Sequence, residues 1–192
     1  MLQALGAVII DADDLAREVV SPGSVGLAKV VEQFGASVLL DNGELNRKAL
    51  AERIFQAEGE RRTLESILHP LIAQSLEQKL SSLSTRKSPP PLVAYIVPLL
   101  FEKNSDLSRY DGTVVVVASD VVKTRRVMSR DKLSHEQVAA RLAAQLSDAE
   151  KSRRATVAVN NDGALVDLSE AAKSVFQRFS RPPVFAIPGD DS

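Results

Sequence analysis

The sequence contains no cysteine and no tryptophan, and only two of its 192 residues are histidine. Without thiols there can be no disulfide, no thiolate metal site and no cysteine nucleophile, and two histidines are too few for a histidine-rich metal centre. Aromatic residues make up 4% of the chain, which leaves little material for the stacking platforms that single-stranded nucleic acid requires. No apolar run approaches the ~20 residues of a membrane span. The first residues lack the basic segment and long apolar core of a secretion signal. Net charge is −1, so there is no global pull toward nucleic acid or an anionic membrane. A reducing, cytoplasmic setting fits these absences. What remains, 44% hydrophobic and 26% charged residues, is the composition of a domain with a real core. The length suits one α/β domain.

That domain is organised around Val8-Ile9-Ile10-Asp11-Ala12-Asp13-Asp14. Three β-branched residues end in acids, and Leu15, Ala16, Val19 and Val20 follow at helical spacing. The pattern predicts a buried parallel strand that delivers carboxylates to its C-terminal tip, where open α/β sheets bind ligands. Ser24 should cap a second helix that Gly35 ends, and Asn46 a third. Asp41-Asn42-Gly43 reads as a tight turn. A longer helix is expected from about Glu58 to Leu83, kinked or restarted at Pro70 inside it. Leu92–Val97 and Thr113–Ala118 are almost continuous apolar runs, as strands covered on both faces should be. Ser134-x-x-Gln137 and Ser147-x-x-Glu150 are two capping boxes. Thr156–Val159 is a last short strand with its turn at Asn160–Gly163, and Leu165–Phe179 a final helix. The expected division is a single domain over 1–180, with a helical region at about 36–88 and a basic lobe at about 121–154. The proline-containing tail, 181–192, predicts disorder.

Charge is segregated. Residues 121–154 carry nine Lys/Arg against four Asp/Glu, a local +5 against −6 for the remainder. A basic helical lobe on an acidic body fits an anion such as a polyphosphate; the alternative is a solvated helix face.

Several phrases together resemble dephospho-CoA kinase: Leu5-Gly6-Ala7-Val8-Ile9-Ile10-Asp11-Ala12-Asp13, Val20-x-Pro22-Gly23-Ser24 and Gly43-x-Leu45-Asn46-Arg47-x-x-Leu50. Further on come Ile54-Phe55, Leu64-Glu65-x-Ile67-Leu68-His69-Pro70, Pro98-Leu99-Leu100-Phe101-Glu102, Arg126-x-x-x-Arg130-Asp131 and Arg141-x-x-x-Gln145. Order and spacing match from about Leu5 to Leu168. The resemblance implies a P-loop kinase-like, adenylate kinase-like α/β fold: a parallel five-stranded sheet with a helical substrate region and a lid. It implies ATP-dependent phosphorylation of the ribose 3′-hydroxyl of dephospho-CoA, the last step of coenzyme A biosynthesis, with ATP and Mg²⁺ as cofactors. Dephospho-CoA is the implied small-molecule partner; no nucleic acid or membrane partner is expected, and nothing bears on oligomeric state.

The family begins with a strand, a G-x-x-x-x-G-K-[ST] phosphate loop and a helix running into Leu5-Gly6, and no such loop motif occurs in these 192 residues. The reading is therefore of a family member lacking its N-terminus. The loop's amides and lysine hold the β- and γ-phosphates. The strand would be central, and four buried side chains at ~1.5–3 kcal/mol each amount to roughly 6–12 kcal/mol. That is comparable with the ~5–15 kcal/mol stability of a domain. The chain as given is expected to fold poorly or rearrange and to be an inefficient kinase; a non-catalytic homologue that binds a CoA-like ligand or a protein partner is the alternative.

By resemblance, Asp13 accepts the proton of the ribose hydroxyl, since in-line transfer needs a carboxylate within reach of the attacking oxygen; otherwise it is a helix cap. Asp11 and Arg17 are candidates on the substrate side. Arg130 and Arg141 are implied catalytic lid arginines and Arg126 a cofactor-binding one, against surface pairing with Asp131 or Glu136. His69 matches the substrate-side His-Pro; it could equally pack at a helix kink. Leu99, Leu100, Phe101 and Glu102 could line the dephospho-CoA pocket, although Leu99–Phe101 would otherwise be core. Asn161 and Gly163 resemble the turn beside the adenine of ATP. No metal ligands are assigned. Lys123 stands where the family commonly has Gln, Thr156 replaces an Asp, and Asn160 replaces the Asp before Asn161.

Overall fold

The structure is a computed structural model and describes residues 1–102 and 106–180. The tail expected to be disordered lies outside the described residues. Among those described, four strands and eight α-helices form an α/β chain in the order β1 (Val8–Asp11), α1 (Ala12–Glu18), α2 (Val25–Phe34), α3 (Arg47–Gln56), α4 (Glu58–Ser84), β2 (Val93–Ile96), β3 (Val114–Val117), α5 (Asp120–Asp131), α6 (His135–Ala143), α7 (Asp148–Arg154), β4 (Val157–Asn160) and α8 (Leu165–Phe179). A 3-10 turn at Leu2–Leu5 leads into β1 through Gly6, whose φ of 101° is open to glycine at little cost. No helix among the described residues is long and apolar enough to cross a membrane.

The chain divides into two compact units: Met1–Val8 with Pro91–Val93 and Pro98–Ser192, and Ile9–Pro90 with Ala94–Val97. In the second, the helices are started by local chemistry. Ser24 Oγ accepts the Leu27 N–H at 3.1 Å, Asn46 Oδ1 accepts that of Ala49 at 3.0 Å, and Gly35 closes α2. Both caps stand where the sequence puts them. At the Asp41–Gly43 turn, Gly43 N donates to Leu40 O at 2.9 Å with φ 80°. The apolar faces of α2, α3 and α4 close over Val20, Leu27, Val30, Phe34, Val38, Leu45, Leu50 and Leu64. Arg53 ties three of these elements: its guanidinium pairs with Glu60 at 2.6 and 2.8 Å, donates to Phe34 O at 2.7 Å, and stacks 5.2 Å from the Phe34 ring. The expected restart at Pro70 does not occur. α4 is one element from Glu58 to Ser84, its packing on α1, α2 and α3 outweighing one missing backbone donor.

In the first unit β3 and β4 pair in parallel, Val114 opposite Val157 through Val117 opposite Asn160. Thr113 and Thr156 lock the start of the ladder reciprocally, each hydroxyl accepting the other's backbone N–H at 3.0 and 3.1 Å. That gives Thr156 a structural use. β1 and β2 form a separate two-stranded sheet. The expectation that β2 and β3 are covered on both faces is not met. Val115 is buried, but Val114 and Val116 are 39% and 58% exposed, and Ile96 on β2 is 48% exposed. Among the described residues each strand has one partner strand, and β3 is covered on one face. Ser134 and Gln137 complete a reciprocal capping box at α6. The second expected box is half-formed. Ser147 caps α7, but Glu150 turns away to Arg153 and Arg154.

Candidate active site

At the tip of β1 the two acids separate by role. Asp11 is the cap of α1, and its Oδ1 accepts the Asp13 backbone N–H at 2.8 Å. Asp13 follows in the first helical turn, exposed, and its carboxylate makes no hydrogen bond or ion pair with any described residue. A cap at this junction was the competing explanation for Asp13, and Asp11 fills that place. Arg17, one turn on, is held by Asp14 at 2.9 Å. Glu18 binds Lys79 at 2.8 Å and so ties α1 to α4. His69 is exposed on α4. These four candidates belong to the second unit.

The remaining candidates belong to the first. The segment after β2 turns at Leu99, a non-glycine residue at φ 57°, and Glu102 N donates back to Leu99 O at 3.2 Å. A side chain in the left-handed region is strained and persists only where its surroundings hold it. Here α7 and Leu146 just before it supply the hold. Arg154 Nη1 donates to Phe101 O at 3.2 Å, Lys151 pairs with Glu102 Oε1 at 3.0 Å, and Leu146 N–H donates to the same oxygen at 3.3 Å. Burial pushes the Glu102 carboxyl up, but the Lys151 hydrogen bond, the backbone N–H groups of Glu102 and Leu146 and the Lys151 charge outweigh it, leaving it below the usual range. Its other oxygen is buried and has no hydrogen-bond partner among the described residues. Phe101 is packed in the core. Of this quartet, Leu99, at 44% exposure, has the most surface to offer a ligand.

The basic lobe is built from α5, α6 and α7. Arg126 Nη1 donates to Asn161 O at 2.7 Å, which brings two of the candidates together at the turn after β4. That turn is held from β3's end: Ser119 N and Oγ both donate to Asp162 Oδ1, at 2.7 and 2.8 Å. Asn160 Oδ1 accepts the Asp162 N–H at 2.6 Å. Those Ser119 bonds, the backbone one first, hold the Asp162 carboxyl below its ordinary value. Gly163 leads into α8, where a Cβ would meet Asp167 Oδ2 at 2.6 Å. Arg130 and Arg141 meet on one carboxylate, Asp131. Arg130 reaches it at 2.7 and 3.1 Å and Arg141 at 3.1 Å. Lys123 binds Asp120 at 2.8 Å and Asp148 at 3.0 Å, so in this chain the departure from Gln is matched by acids on α5 and α7.

Sequence reasoning named Asp131 as a pairing partner of the lid arginines, and the pairing forms; it missed Lys151, Asp148 and the Ser119–Asp162 clasp, for which no local spacing gave a signal. Among the described residues no group of three or more His, Asp or Glu side chains could hold a metal ion. A nucleotide-chelated Mg²⁺ needs only one or two carboxylates from protein; Asp11 at the β1 tip could contribute one. Arg126, Arg130 and Arg141 are of the type that holds phosphate oxygens in planar, bidentate fashion.

The family model described as dephospho-CoA kinase matches residues 1–167. A dephospho-CoA kinase of Geobacter sulfurreducens is 39% identical over 178 residues, covering 93% of this chain and 89% of that protein. One from Anaeromyxobacter dehalogenans is 43% identical over 164 residues, covering 85% of this chain and 76% of its own length. Among solved structures, a Thermus thermophilus protein superposes with a TM-score of 0.76 at 34% identity, covering 94% of this chain and 88% of its own. The dephospho-CoA kinase from Campylobacter jejuni gives 0.67 at 26% identity, over 93% and 87%.

Proposed function

The chain belongs to the dephospho-CoA kinase family, and from that premise we propose that its residues serve transfer of the γ-phosphoryl group of ATP to the ribose 3′-hydroxyl of dephospho-CoA. Phosphoryl transfer asks little covalent chemistry of a protein; it asks for positioning and for charge placed on the transferring group. Asp13 is the base in this reading, accepting the hydroxyl proton as the oxygen attacks. By resemblance, Arg130 and Arg141 serve the charge on the phosphoryl oxygens, Arg126, Asn161 and Gly163 serve the nucleotide, and Leu99, Leu100, Asp11, Arg17 and His69 are each assigned to the acceptor. The observation that carries it is at the β1 tip. Asp11 takes the capping bond, so Asp13 is not needed to start α1.

The 192 residues hold no G-x-x-x-x-G-K-[ST], and lid arginines do not replace a cradle of backbone amides. Outward-facing Val114 and Val116 on β3 support a reading in which further chain covers that sheet. Catalysis is accordingly assigned to these residues joined to a phosphate loop, and the 192 residues alone should not turn over ATP.

The test compares the 192-residue chain with the same chain extended by the in-frame codons upstream in its gene, each given ATP, Mg²⁺ and dephospho-CoA and followed by formation of CoA. The extended chain should make CoA and the shorter one should not. Turnover by the 192 residues alone would overturn the need for the loop. If an extended chain with an intact loop stays inactive yet binds dephospho-CoA by calorimetry, the second reading stands: a non-catalytic homologue.

A further inference from the structure

The two arginines assigned to the phosphoryl group lie on different helices, and one side chain joins them. Asp131 is the last residue of α5. The chain reverses at Lys132, which sits in the left-handed region at φ 57°, and Ser134 starts α6 with a complete capping box. This tight turn returns Arg141, in the last turn of α6, to Asp131 ten residues earlier. Arg130 meets the carboxylate with two donors, Nε at 2.7 Å and Nη2 at 3.1 Å, and Arg141 Nη1 adds a third at 3.1 Å. The Asp131 side chain is 25% exposed while those of Arg130 and Arg141 are 75% and 59% exposed. The carboxylate lies beneath and the guanidinium groups face solvent above it, each with donors to spare.

Two guanidinium cations brought this close repel each other unless a negative charge lies between them. We propose that Asp131 is a positioning residue that holds Arg130 and Arg141 as a single two-pronged receptor for a polyphosphate chain. It acts through the arginines and touches no phosphate itself. The inference rests on the reading above, that these arginines receive the phosphates of ATP.

Its test turns on a sign. Removing a carboxylate beside an anion site raises the local positive charge, so if Asp131 were only a competing charge, Asp131→Ala would bind anions more tightly. A positioning role requires the opposite, because the ligand itself would then have to order two rotamer-rich side chains, and about tenfold weaker binding is expected. The probe is inorganic tripolyphosphate, added to the full chain at 0.15 M salt and followed by the Nε–Hε signals of Arg130 and Arg141. In the unaltered protein both signals should move with one midpoint. Asp131→Ala should weaken binding despite its extra positive charge, and Asp131→Asn, which keeps one acceptor, should recover part of the loss. Should Asp131→Ala prove unfolded by circular dichroism, Asp131→Asn decides alone. Equal or tighter binding by the folded variants, or separate midpoints for the two arginines, overturns the positioning role while leaving the polyphosphate reading in place. If the unaltered chain does not bind tripolyphosphate, or Arg141→Ala binds it unchanged, the polyphosphate reading itself falls and the role of Asp131 falls with it.

Discussion

Asp11 and Asp13, two residues apart at the tip of β1, are joined by one hydrogen bond from the backbone N–H of Asp13 to Oδ1 of Asp11, at 2.8 Å. The direction of that bond decides what each acid can do. Asp11 uses its side chain to satisfy an orphan donor of α1, and Asp13 contributes only its backbone. The strand therefore ends in one carboxylate that caps α1 and one that no described residue engages.

The two acids should accordingly separate under mutation. Asp11→Ala removes a cap and is expected to cost about 1 kcal/mol of stability, read as a lower urea midpoint. Asp13→Asn should leave the midpoint within about 0.5 kcal/mol, as surface changes usually do. In the upstream-extended chain of the proposed assay it should lower turnover by about 10²–10⁴-fold, the range for loss of a general base. A large stability loss at Asp13 with unchanged turnover would return it to the role of a cap.

Gly26 opens the first turn of α2, where alanine would ordinarily gain roughly 1 kcal/mol of helix propensity. A Cβ there would run into the Val19 carbonyl oxygen and lie 3.0 Å from Leu71 Cδ1. Overpacking of this kind costs about 1–3 kcal/mol, so Gly26→Ala should destabilise on balance. Gly59, in the first turn of α4, has nothing within 4 Å of the same atom, and Gly59→Ala should stabilise by up to about 1 kcal/mol. The pair is read by urea denaturation, with unchanged m-values confirming that compactness is preserved.

What was legible in the sequence was local. Ser24, Asn46 and Ser134 start their helices as read, because a cap needs only a side chain and an N–H two or three residues on. The run Leu165–Phe179 forms α8 over those same residues. Burial was less legible. A run such as Val114–Val117 states that a strand is apolar, not how many layers lie against it, and β3 is covered on one face. Glu150 could have closed a second capping box, but arginines three and four residues later compete for it and win. The pairing of Lys151 with Glu102 spans 49 positions, and no spacing rule reaches that far. Of the candidate site, the residue types were readable, as was Asp131 as a partner for the arginines; the hold of α7 on Phe101 and Glu102 was not.

Glu102 and Lys151 meet at 3.0 Å with side chains only 16% and 14% exposed. Removing one partner strands the other in a poorly solvated place, a loss of about 3 kcal/mol, reduced from the fully buried case by the residual exposure. Glu102→Gln and Lys151→Met should each show it by urea unfolding. The double variant should lose less than the sum of the two, since no charge is then left unpaired. Because Lys151 and Arg154 also hold the strained turn at Leu99, the variants should make the backbone amides around Leu99 and Leu100 exchange faster with solvent.

The same pair sets a pH dependence whose sign can be worked out. The Glu102 carboxyl sits below its ordinary value of 4.5 in the folded protein. A group depressed by folding adds stability above its unfolded value and loses it as pH falls through the folded one. The stability difference between the protein and Glu102→Gln should therefore be flat from neutral pH down to about pH 5.5 and shrink below about pH 4.5. Lys123 runs the other way. Burial pushes its ammonium down, but hydrogen bonds to Asp120 and Asp148 outweigh that and raise it above 10.5. Its contribution is complete below that value and is lost as pH rises through the folded one. Lys123→Gln should thus flatten the alkaline limb of the stability profile and leave the acid limb to Glu102 and the carboxylates that, like Asp131, are held low by arginine. Guanidine titrations at half-unit steps from pH 3.5 to about pH 11 would separate the limbs. An acid limb unchanged by Glu102→Gln would mean that the ion pair does not form in solution.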